Sequence, residues 1–329
     1  MSNSPEIGVM FRREQDPATL VDYAQRVEAM GFDQLWVVED CFYAGGIVQV
    51  AIAMAATTRL KVGMGINPAV ARNPAFLAME YATLANAFPG RFIGGIGHGV
   101  AEWMEQIGAR PASWLRSIEE ITTSVRRILR GEHVTIDGRY ARLTDVQLEH
   151  PPAVVPPVLL GVMGEKSVRL AGACADGLLA VEYTGAEYVH WARELRAEER
   201  AEAGRDRNAL IVVLTGCVVD NESPAAARQV FREIIAQQNG SGIQPTIGRM
   251  PFAAEMAALA EQGGASALVE GMQDEWIDRL AVTGSHVDAR AAVDRYAAAG
   301  AEAVILVPPE DGDWDAWLAK QVWATGSTQ

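Results

Sequence analysis

The chain has 329 residues, of which 49% are hydrophobic, and its formal net charge is −14. An acidic surface repels phosphate backbones, so nucleic acid is disfavoured as a partner. The sequence contains no apolar run near the ~20 residues of a membrane span, and its M-S-N-S-P-E start does not match a signal peptide. We therefore expect a cytoplasmic protein with neither a membrane nor a nucleic-acid partner.

Apolar runs alternate with segments of helical periodicity along the chain. Two helix starts, Asp16-Pro17 and Asn73-Pro74, combine an N-cap residue with proline at the first helical position. Buried parallel strands read as continuous apolar runs. Such runs predict strands at 7–10, 35–38, 60–64, 92–96, 158–160, 177–181, 211–219 and 303–307. Eight strands that alternate with helices predict an α/β fold, the (β/α)8 TIM barrel.

Residues 1–329 are predicted to form a single barrel domain with two insertions, since a barrel takes about 250 residues plus insertions. Residues 131–157 interrupt the alternation with a small hairpin around Asp137-Gly138. Residues 221–285 hold helical segments and are too long for one crossover. A doubly wound sheet is the rival fold, but it requires G-x-G-x-x-G after the first strand, where this chain has Phe11-Arg12-Arg13.

Three residues at predicted strand ends carry acid–base chemistry. Glu39 and Asp40 follow the second strand, and His98 follows the fourth. Barrel active sites lie at the carboxyl ends of the strands, and carboxylates and imidazoles are the usual general acids and bases there. The alternative for Glu39 and Asp40 is helix capping or ion pairing. For His98 the alternative is a structural hydrogen bond.

Glycine-rich turns mark the ends of two predicted strands. The first is G-I-G-H-G at 95–99, and the second is Gly161-Val162-Met163-Gly164, which precedes a helix that carries Lys166 and Ser167. Backbone N–H groups at a helix start can cradle a phosphate. The alternative for 161–164 is a plain turn that connects strand to helix.

Lysine, cysteine and histidine usage argues against several other chemistries. Lys61 lies at the start of a predicted strand, and Lys166 and Lys320 lie in helical segments, so no lysine is placed for a Schiff base inside the barrel. The three cysteines are widely spaced, which disfavours a disulfide framework or a zinc site. Neither H-x-H nor H-E-x-x-H occurs, so no metal centre is predicted.

Several motifs together carry a family resemblance that covers nearly the whole chain. They are L-W-V-V-E-D at 35–40, G-I-N-P-A-V-A-R-N-P-A at 65–75, A-T-L-A-N-A-F-P-G-R-F at 82–92, G-I-G-H-G at 95–99, G-V-M-G at 161–164, A-C-A-D-G at 173–177 and A-A-G-A-E-A-V at 298–304. With these motifs the chain resembles the luciferase-like superfamily of flavin and deazaflavin oxidoreductases. It is most similar to the coenzyme F420-dependent branch that includes methylenetetrahydromethanopterin reductase.

This resemblance implies a barrel whose mouth holds the ring of F420, with FMN as the alternative cofactor. It also implies a cis peptide between Gly65 and Ile66, which forms a bulge behind the ring. The residues expected to contact the cofactor share positions at strand ends and glycine turns: Gly65, Ile66, Asn67, Gly97, His98, Gly99, Gly161, Val162, Met163, Gly164 and Glu182.

The chain departs from the family pattern at two positions. Many deazaflavin members have histidine where Asp40 stands, and some have an acid where Val100 stands, with Glu102 two residues further on here. The usual proton donor therefore does not carry over. Glu39, Asp40 and His98 remain the candidate catalytic residues.

The resemblance implies an oxidoreductase that transfers a hydride between F420 and a small organic substrate. An FMN-dependent monooxygenase is the alternative, and a non-catalytic cofactor-binding protein is a third hypothesis. Phe11, Phe42, Tyr43 and Trp103 are predicted to line the substrate site, which favours a fairly hydrophobic ligand. The resemblance also implies a homodimer, for which the tryptophans of the C-terminal tail offer a surface unless they pack on the barrel.

Overall fold

Strands and helices alternate through the computed structural model, which describes residues 4–204, 206 and 209–325. The strands are β1 (Glu6–Met10), β2 (Gln34–Val37), β3 (Lys61–Met64), β4 (Asn67–Pro68), β5 (Phe92–Gly97), β6 (Val134–Asp137), β7 (Arg142–Val146), β8 (Val158–Gly161), β9 (Gly177–Ala180), β10 (Leu210–Val219), β11 (Val282–Gly284) and β12 (Ala303–Val307). The α-helices are α1 (Leu20–Ala29), α2 (Gly46–Ala56), α3 (Pro74–Ala87), α4 (Ala101–Gln106), α5 (Trp114–Leu129), α6 (Glu165–Cys174), α7 (Ala186–Glu202), α8 (Pro224–Asn239), α9 (Ala253–Gly271), α10 (Asp274–Leu280), α11 (His286–Ala299) and α12 (Trp314–Ala319).

The fold is a (β/α)8 TIM barrel, which confirms the fold predicted from the sequence. Its principal parallel strands are β1, β2, β3, β5, β8, β9, β10 and β12. Each overlaps one predicted apolar run. Two short strands were not predicted: β4 pairs with β5, and β11 pairs with β10.

One compact unit consists of Phe11–Leu179 and Leu195–Leu210. Its parallel strands follow the order β2-β3-β5-β8-β9. Within that sheet Gly97 at the end of β5 stands opposite Gly161 at the end of β8. Because the carboxyl ends of parallel strands meet at one edge, the turns after β2, β4, β5 and β8 come together there.

The core of this unit follows from its apolar periodicity. Helix α5 buries Ile118, Ile121, Val125 and Ile128, which recur at helical spacing along one face. Strands β2, β5 and β9 are buried along their whole length, as expected for a sheet covered on both faces. The hydrophobic face of α5 thus packs toward the sheet, and the polar face stays in solvent.

The other unit consists of Met1–Met10, Ala180–Glu194 and Ile211–Gln329. Its strands follow the order β1-β12-β10-β11, all parallel. Helix α11 begins with a capping box of Ser285 and Asp288. In the C-terminal tail Trp317 and Trp323 are buried, and the Trp317 indole N–H donates to the Cys217 carbonyl oxygen 2.6 Å away. These tail tryptophans therefore pack on their own unit and do not offer an exposed surface for a second copy.

The two regions expected as insertions have secondary structure of their own. Strands β6 and β7 pair as an antiparallel hairpin in 131–157. Helices α8, α9 and α10 fill most of 221–285, and α9 breaks at Gly263 and Gly264, where Gly264 has a φ of +61°. The helical region buries a small apolar cluster of its own around Phe231, Met256 and Trp276. That the whole chain forms a single domain stays a prediction.

Candidate active site

The residues predicted for the site from β2, β4, β5 and β8 all lie in the unit that begins at Phe11. Peptide bonds Gly65–Ile66 and Cys41–Phe42 are both cis without proline. The first confirms the predicted bulge, which places Asn67 and Pro68 in β4 beside the end of β5. The second was not predicted from the sequence.

Ile66 explains the glycines at the ends of β5 and β8. A Cβ atom on Gly97 would lie 2.7 Å from Ile66 Cγ1, and one on Gly161 would lie 2.6 Å from Ile66 Cγ2. Such separations are shorter than any real Cβ contact, so both positions need glycine to make room for this side chain. The half-buried Ile66 is thus wedged between two strand ends. Close packing of Ile66 accounts for both glycines without a ligand.

Gly164 differs from those two glycines because a Cβ built on it would meet no described atom within 4 Å. It is the N-cap residue of α6 and supplies no capping side chain, while its carbonyl oxygen accepts from Ser167 N at 2.9 Å. Val162 is buried and Met163 is half-buried. A helix start with free space in front of it suits an anion such as phosphate.

Glu39 is held by four donors. The Arg72 guanidinium donates to both carboxylate oxygens, Asn67 Nδ2 donates to Oε1 at 3.0 Å, and the backbone N–H of Gly46 at the start of α2 donates to Oε2 at 2.9 Å. The Glu39 side chain is 12% exposed. These contacts are the helix capping and ion pairing that were the alternative for Glu39, and its acid–base role stays a prediction.

Asp40 is paired with a residue that the sequence analysis did not single out. Arg13 Nη1 donates to Asp40 Oδ2 at 2.7 Å, and Arg13 Nε donates to Glu14 at 2.6 Å. The same guanidinium lies 5.2 Å from the ring centre of Tyr43 and 5.7 Å from that of Trp103, within cation–π range. Although burial opposes the charge, the hydrogen bonds that Arg13 donates to Asp40 and Glu14 raise the pKa of Arg13.

His98 is the predicted acid–base residue with the fewest hydrogen bonds. Its Nε2 lies 3.4 Å from Ser167 Oγ, which is a long contact, and its ring packs edge-to-face on Trp114 with centroids 5.9 Å apart. Its Nδ1 is buried without a hydrogen-bond partner among the described residues. Burial lowers the pKa of His98, so the imidazole is neutral near pH 7. A buried ring nitrogen without a partner marks a place where a ligand can bind.

The predicted substrate-lining residues divide into exposed and buried ones. Phe42 is 68% exposed and Tyr43 is 54% exposed, while Trp103 is half-buried against Arg13. Phe11, by contrast, is 1% exposed and packs edge-to-face on Tyr23 with centroids 5.3 Å apart. Phe11 is thus packed in the core under α1, and its role in lining the substrate site stays a prediction.

Gly99 and Glu182 were also predicted to contact the cofactor. Gly99 has a φ of +74° and would bring a Cβ to 3.0 Å from Pro68 Cβ, so it serves the turn after β5. Glu182 follows β9 in the other compact unit and is half-buried. The cofactor-binding roles of both remain predictions.

Three side chains that organise the site were not predicted from the sequence. Arg72 donates to Glu39, and Tyr81 donates to Asn67. Arg13 donates to Asp40. The one available signal was position: Arg72 lies within the G-I-N-P-A-V-A-R-N-P-A motif, and Arg13 follows the first strand. A charged residue near several strand ends is a candidate partner for a carboxylate there.

Residues 4–204, 206 and 209–325 contain no group of three or more His, Cys, Asp or Glu side chains placed to hold a metal ion. None of the helices among them combines the length and apolarity needed to cross a membrane.

Comparison with known proteins establishes the family. The luciferase-like monooxygenase family matches residues 2–303. The chain belongs to this family. A curated relative from Methanolobus tindarius, named 5,10-methylenetetrahydromethanopterin reductase, is 24% identical over 309 residues, which cover 92% of this chain and 94% of the relative. A relative from Kineococcus radiotolerans, named F420-dependent glucose-6-phosphate dehydrogenase, is 26% identical and covers 89% of this chain and 88% of its own length.

Solved structures match the fold over nearly the whole length. The F420-dependent tetrahydromethanopterin reductase of Methanopyrus kandleri superposes with a TM-score of 0.79 at 19% identity and covers 98% of each chain. The oxygenating component of 3,6-diketocamphane monooxygenase from Pseudomonas putida, solved with FMN, gives 0.71 at 18% identity over 97% of this chain and 96% of its own. Both likenesses show the barrel fold.

Proposed function

We propose that this protein is an F420-dependent oxidoreductase that exchanges a hydride between the deazaflavin and a small organic substrate. A relative with that cofactor in its name, the F420-dependent glucose-6-phosphate dehydrogenase of Kineococcus radiotolerans, aligns with 89% of this chain and supports the proposal. The observation that carries it is the neutral His98 imidazole, which lies beside the open start of α6 and whose Nδ1 is buried without a hydrogen-bond partner among the described residues. These groups fit a ligand that has both a polar ring and a phosphate.

The residues that would hold F420 follow from the shape of the mouth. Gly164 and the first turn of α6 would take the phosphate, since the helix start is open there. Ile66 would support the ring, because its side chain packs into the space that Gly97 and Gly161 leave free. When bound, F420 supplies or accepts a hydride at its deazaflavin ring, and the protein contributes orientation and exclusion of water.

His98 is the residue that we propose to hold the substrate proton. Glu39 accepts four hydrogen bonds and Asp40 is paired with Arg13, so both carboxylates are already occupied by other side-chain and backbone donors. A neutral imidazole with an unpaired nitrogen can accept a proton from a hydroxyl and return it in the reverse direction. Asp40 would then keep Arg13 in place.

We propose a small substrate with an apolar part. Phe42 and Tyr43 expose aromatic surface near Arg13, whose charge is neutralised by Asp40 and Glu14. Exposed aromatic surface of this kind marks a binding site for a ligand or a partner.

We also propose a homodimer that buries the outer faces of α2 and α3. Val48 is 63% exposed and Phe76 is 64% exposed, and Ile52 and Met79 continue the two faces one helical turn further on. Helix α2 contains no charged residue, which is unusual at the surface of a chain with a net charge of −14. Light scattering of the purified protein tests this: a particle of about 35.4 kDa would contradict it. A cytoplasmic location stays a prediction.

Cofactor titration tests the proposed function. The purified protein is titrated with oxidised F420 and, separately, with FMN, while ring fluorescence is followed. We expect micromolar binding of F420 and weak binding of FMN. The reverse preference would move the assignment to an FMN-dependent monooxygenase, the cofactor class of the Pseudomonas putida structure. Binding of neither cofactor would overturn the proposal and favour a protein that has lost catalysis.

A further inference from the structure

The side chain of Asn67 is fully buried and held at both ends of its amide. Its Nδ2 donates to Glu39 Oε1 at 3.0 Å, and its Oδ1 accepts from the Tyr81 hydroxyl at 2.9 Å. A carboxylate can only accept, and burial raises the pKa of Tyr81, so its hydroxyl stays protonated and donates. The amide therefore has one orientation that satisfies both partners.

Both partners of Asn67 are themselves fixed. Glu39 is gripped by the Arg72 guanidinium and by Gly46 N at the start of α2. The Tyr81 hydroxyl also lies 3.1 Å from the Gly95 carbonyl oxygen in β5. One buried amide is thus linked through Glu39 to the start of α2, through Tyr81 to the middle of α3, and through the same tyrosine to β5.

Asn67 directly follows Ile66, whose side chain fills the space left by glycines at 97 and 161. A shift of the Asn67 backbone would move Ile66 against those strand ends. We propose that Glu39 and Tyr81 are positioning residues that act through Asn67 to hold Ile66 in place for the cofactor. This inference rests on the proposed function, because it assigns the purpose of the network to that same site.

A matched pair of tyrosine variants tests the inference. Tyr81→Phe removes the hydroxyl but keeps the ring, which packs edge-to-face on Phe92. Tyr296→Phe is the control, because it removes an equally buried hydroxyl that donates to a backbone oxygen, Thr184 O at 2.9 Å, in the other compact unit. We expect both variants to lower Tm by similar amounts. Tyr81→Phe alone should raise the F420 Kd, by about tenfold, since it leaves the Asn67 amide oxygen unpaired.

The outcomes separate this inference from the proposed function. If wild-type protein binds F420 and Tyr81→Phe binds it equally well, the positioning role is wrong and the proposed function stands. If wild-type protein binds neither F420 nor FMN, both are overturned together. An equal loss of affinity in Tyr81→Phe and Tyr296→Phe would also contradict the inference, because general destabilisation would then explain the effect.

Glu39→Gln distinguishes positioning from acid–base catalysis. Glutamine places an amide N–H among donors that need an acceptor, so a positioning role predicts a higher F420 Kd and an unchanged shape of the pH profile. A catalytic acid predicts a lower kcat, an unchanged Kd and the loss of one limb of the pH profile. The second pattern would overturn the inference for Glu39.

Discussion

Two groups of polar side chains in the same mouth are satisfied to very different degrees. Around Asn67, every polar atom of the amide and both carboxylate oxygens of Glu39 have partners within hydrogen-bond distance. At His98, one ring nitrogen has a long contact of 3.4 Å and the other has no partner among the described residues. Saturated groups fix geometry, while an unsaturated buried group is available to a ligand. We therefore expect the group around Asn67 to have a structural role and His98 to have a chemical one.

The largest effect is expected from His98→Ala. Loss of a general acid or base lowers kcat by about 10²–10⁴-fold, while Tm changes little because the ring makes few hydrogen bonds. Steady-state turnover of F420 measures this. His133→Ala is the control, because that histidine lies on the exposed hairpin and pairs with Asp145. An unchanged kcat in His98→Ala would show that His98 is not the general acid or base.

The pH profile sharpens the same prediction. Burial lowers the pKa of His98 below its ordinary value of 6.5, so the neutral imidazole persists at pH 7 and is lost only on further acidification. Wild-type kcat/KM should therefore fall as the pH drops through that lowered pKa, because a protonated ring cannot accept a proton. An acid limb centred above 6.5 would contradict the assignment.

Arg72→Ala tests the fully hydrogen-bonded group around Asn67 and Glu39. It leaves the Glu39 carboxylate, 12% exposed, without its main counter-charge, and we expect a loss of about 3 kcal/mol in the free energy of unfolding. Urea unfolding measures the change. In the control Arg110→Ala, the pair with Glu105 is 54% and 67% exposed, so the loss should stay below about 1 kcal/mol. Equal losses in the two variants would mean that the network adds nothing beyond a surface ion pair.

The smallest effect is expected from a pair of glycine variants. Gly161→Ala places a methyl group 2.6 Å from Ile66 Cγ2 and should cost about 1–3 kcal/mol of unfolding free energy. Gly164→Ala meets no described atom within 4 Å and should cost a few tenths of a kcal/mol. Combining Ile66→Ala with Gly161→Ala should recover part of the first loss. No recovery would show that the glycine serves something other than Ile66.

The barrel was predictable because it depends on local patterns. Each parallel strand is an apolar run, and cap residues such as Asn73 and glycines such as Gly300 mark where helices begin and end. The Gly65–Ile66 bulge was predicted from a family resemblance, and the structure confirms it. The apolar and capping patterns did not predict α4, the cis bond at Cys41–Phe42 or the burial of Phe11 under α1.

The partners of the site residues could not be predicted because they are distant in sequence. Arg72 lies 33 residues from Glu39, and Arg13 lies 27 residues from Asp40. Sequence alone therefore left capping, ion pairing and catalysis open for both acids. It also suggested cofactor contacts for Gly97 and Gly161, although Ile66 is sufficient reason for both.

Arg13, which lies beside the rings of Tyr43 and Trp103, has a consequence for local motion. Its guanidinium joins the segment after β1 to Asp40 and Tyr43 on the β2–α2 loop and to Trp103 on α4. The segment after β1, the β2–α2 loop and α4 thus share one charged group. We therefore expect these three segments to open together and not separately. Hydrogen exchange should then show the amides of 41–45 and 101–106 exchanging with a common opening free energy, which Arg13→Ala splits into two.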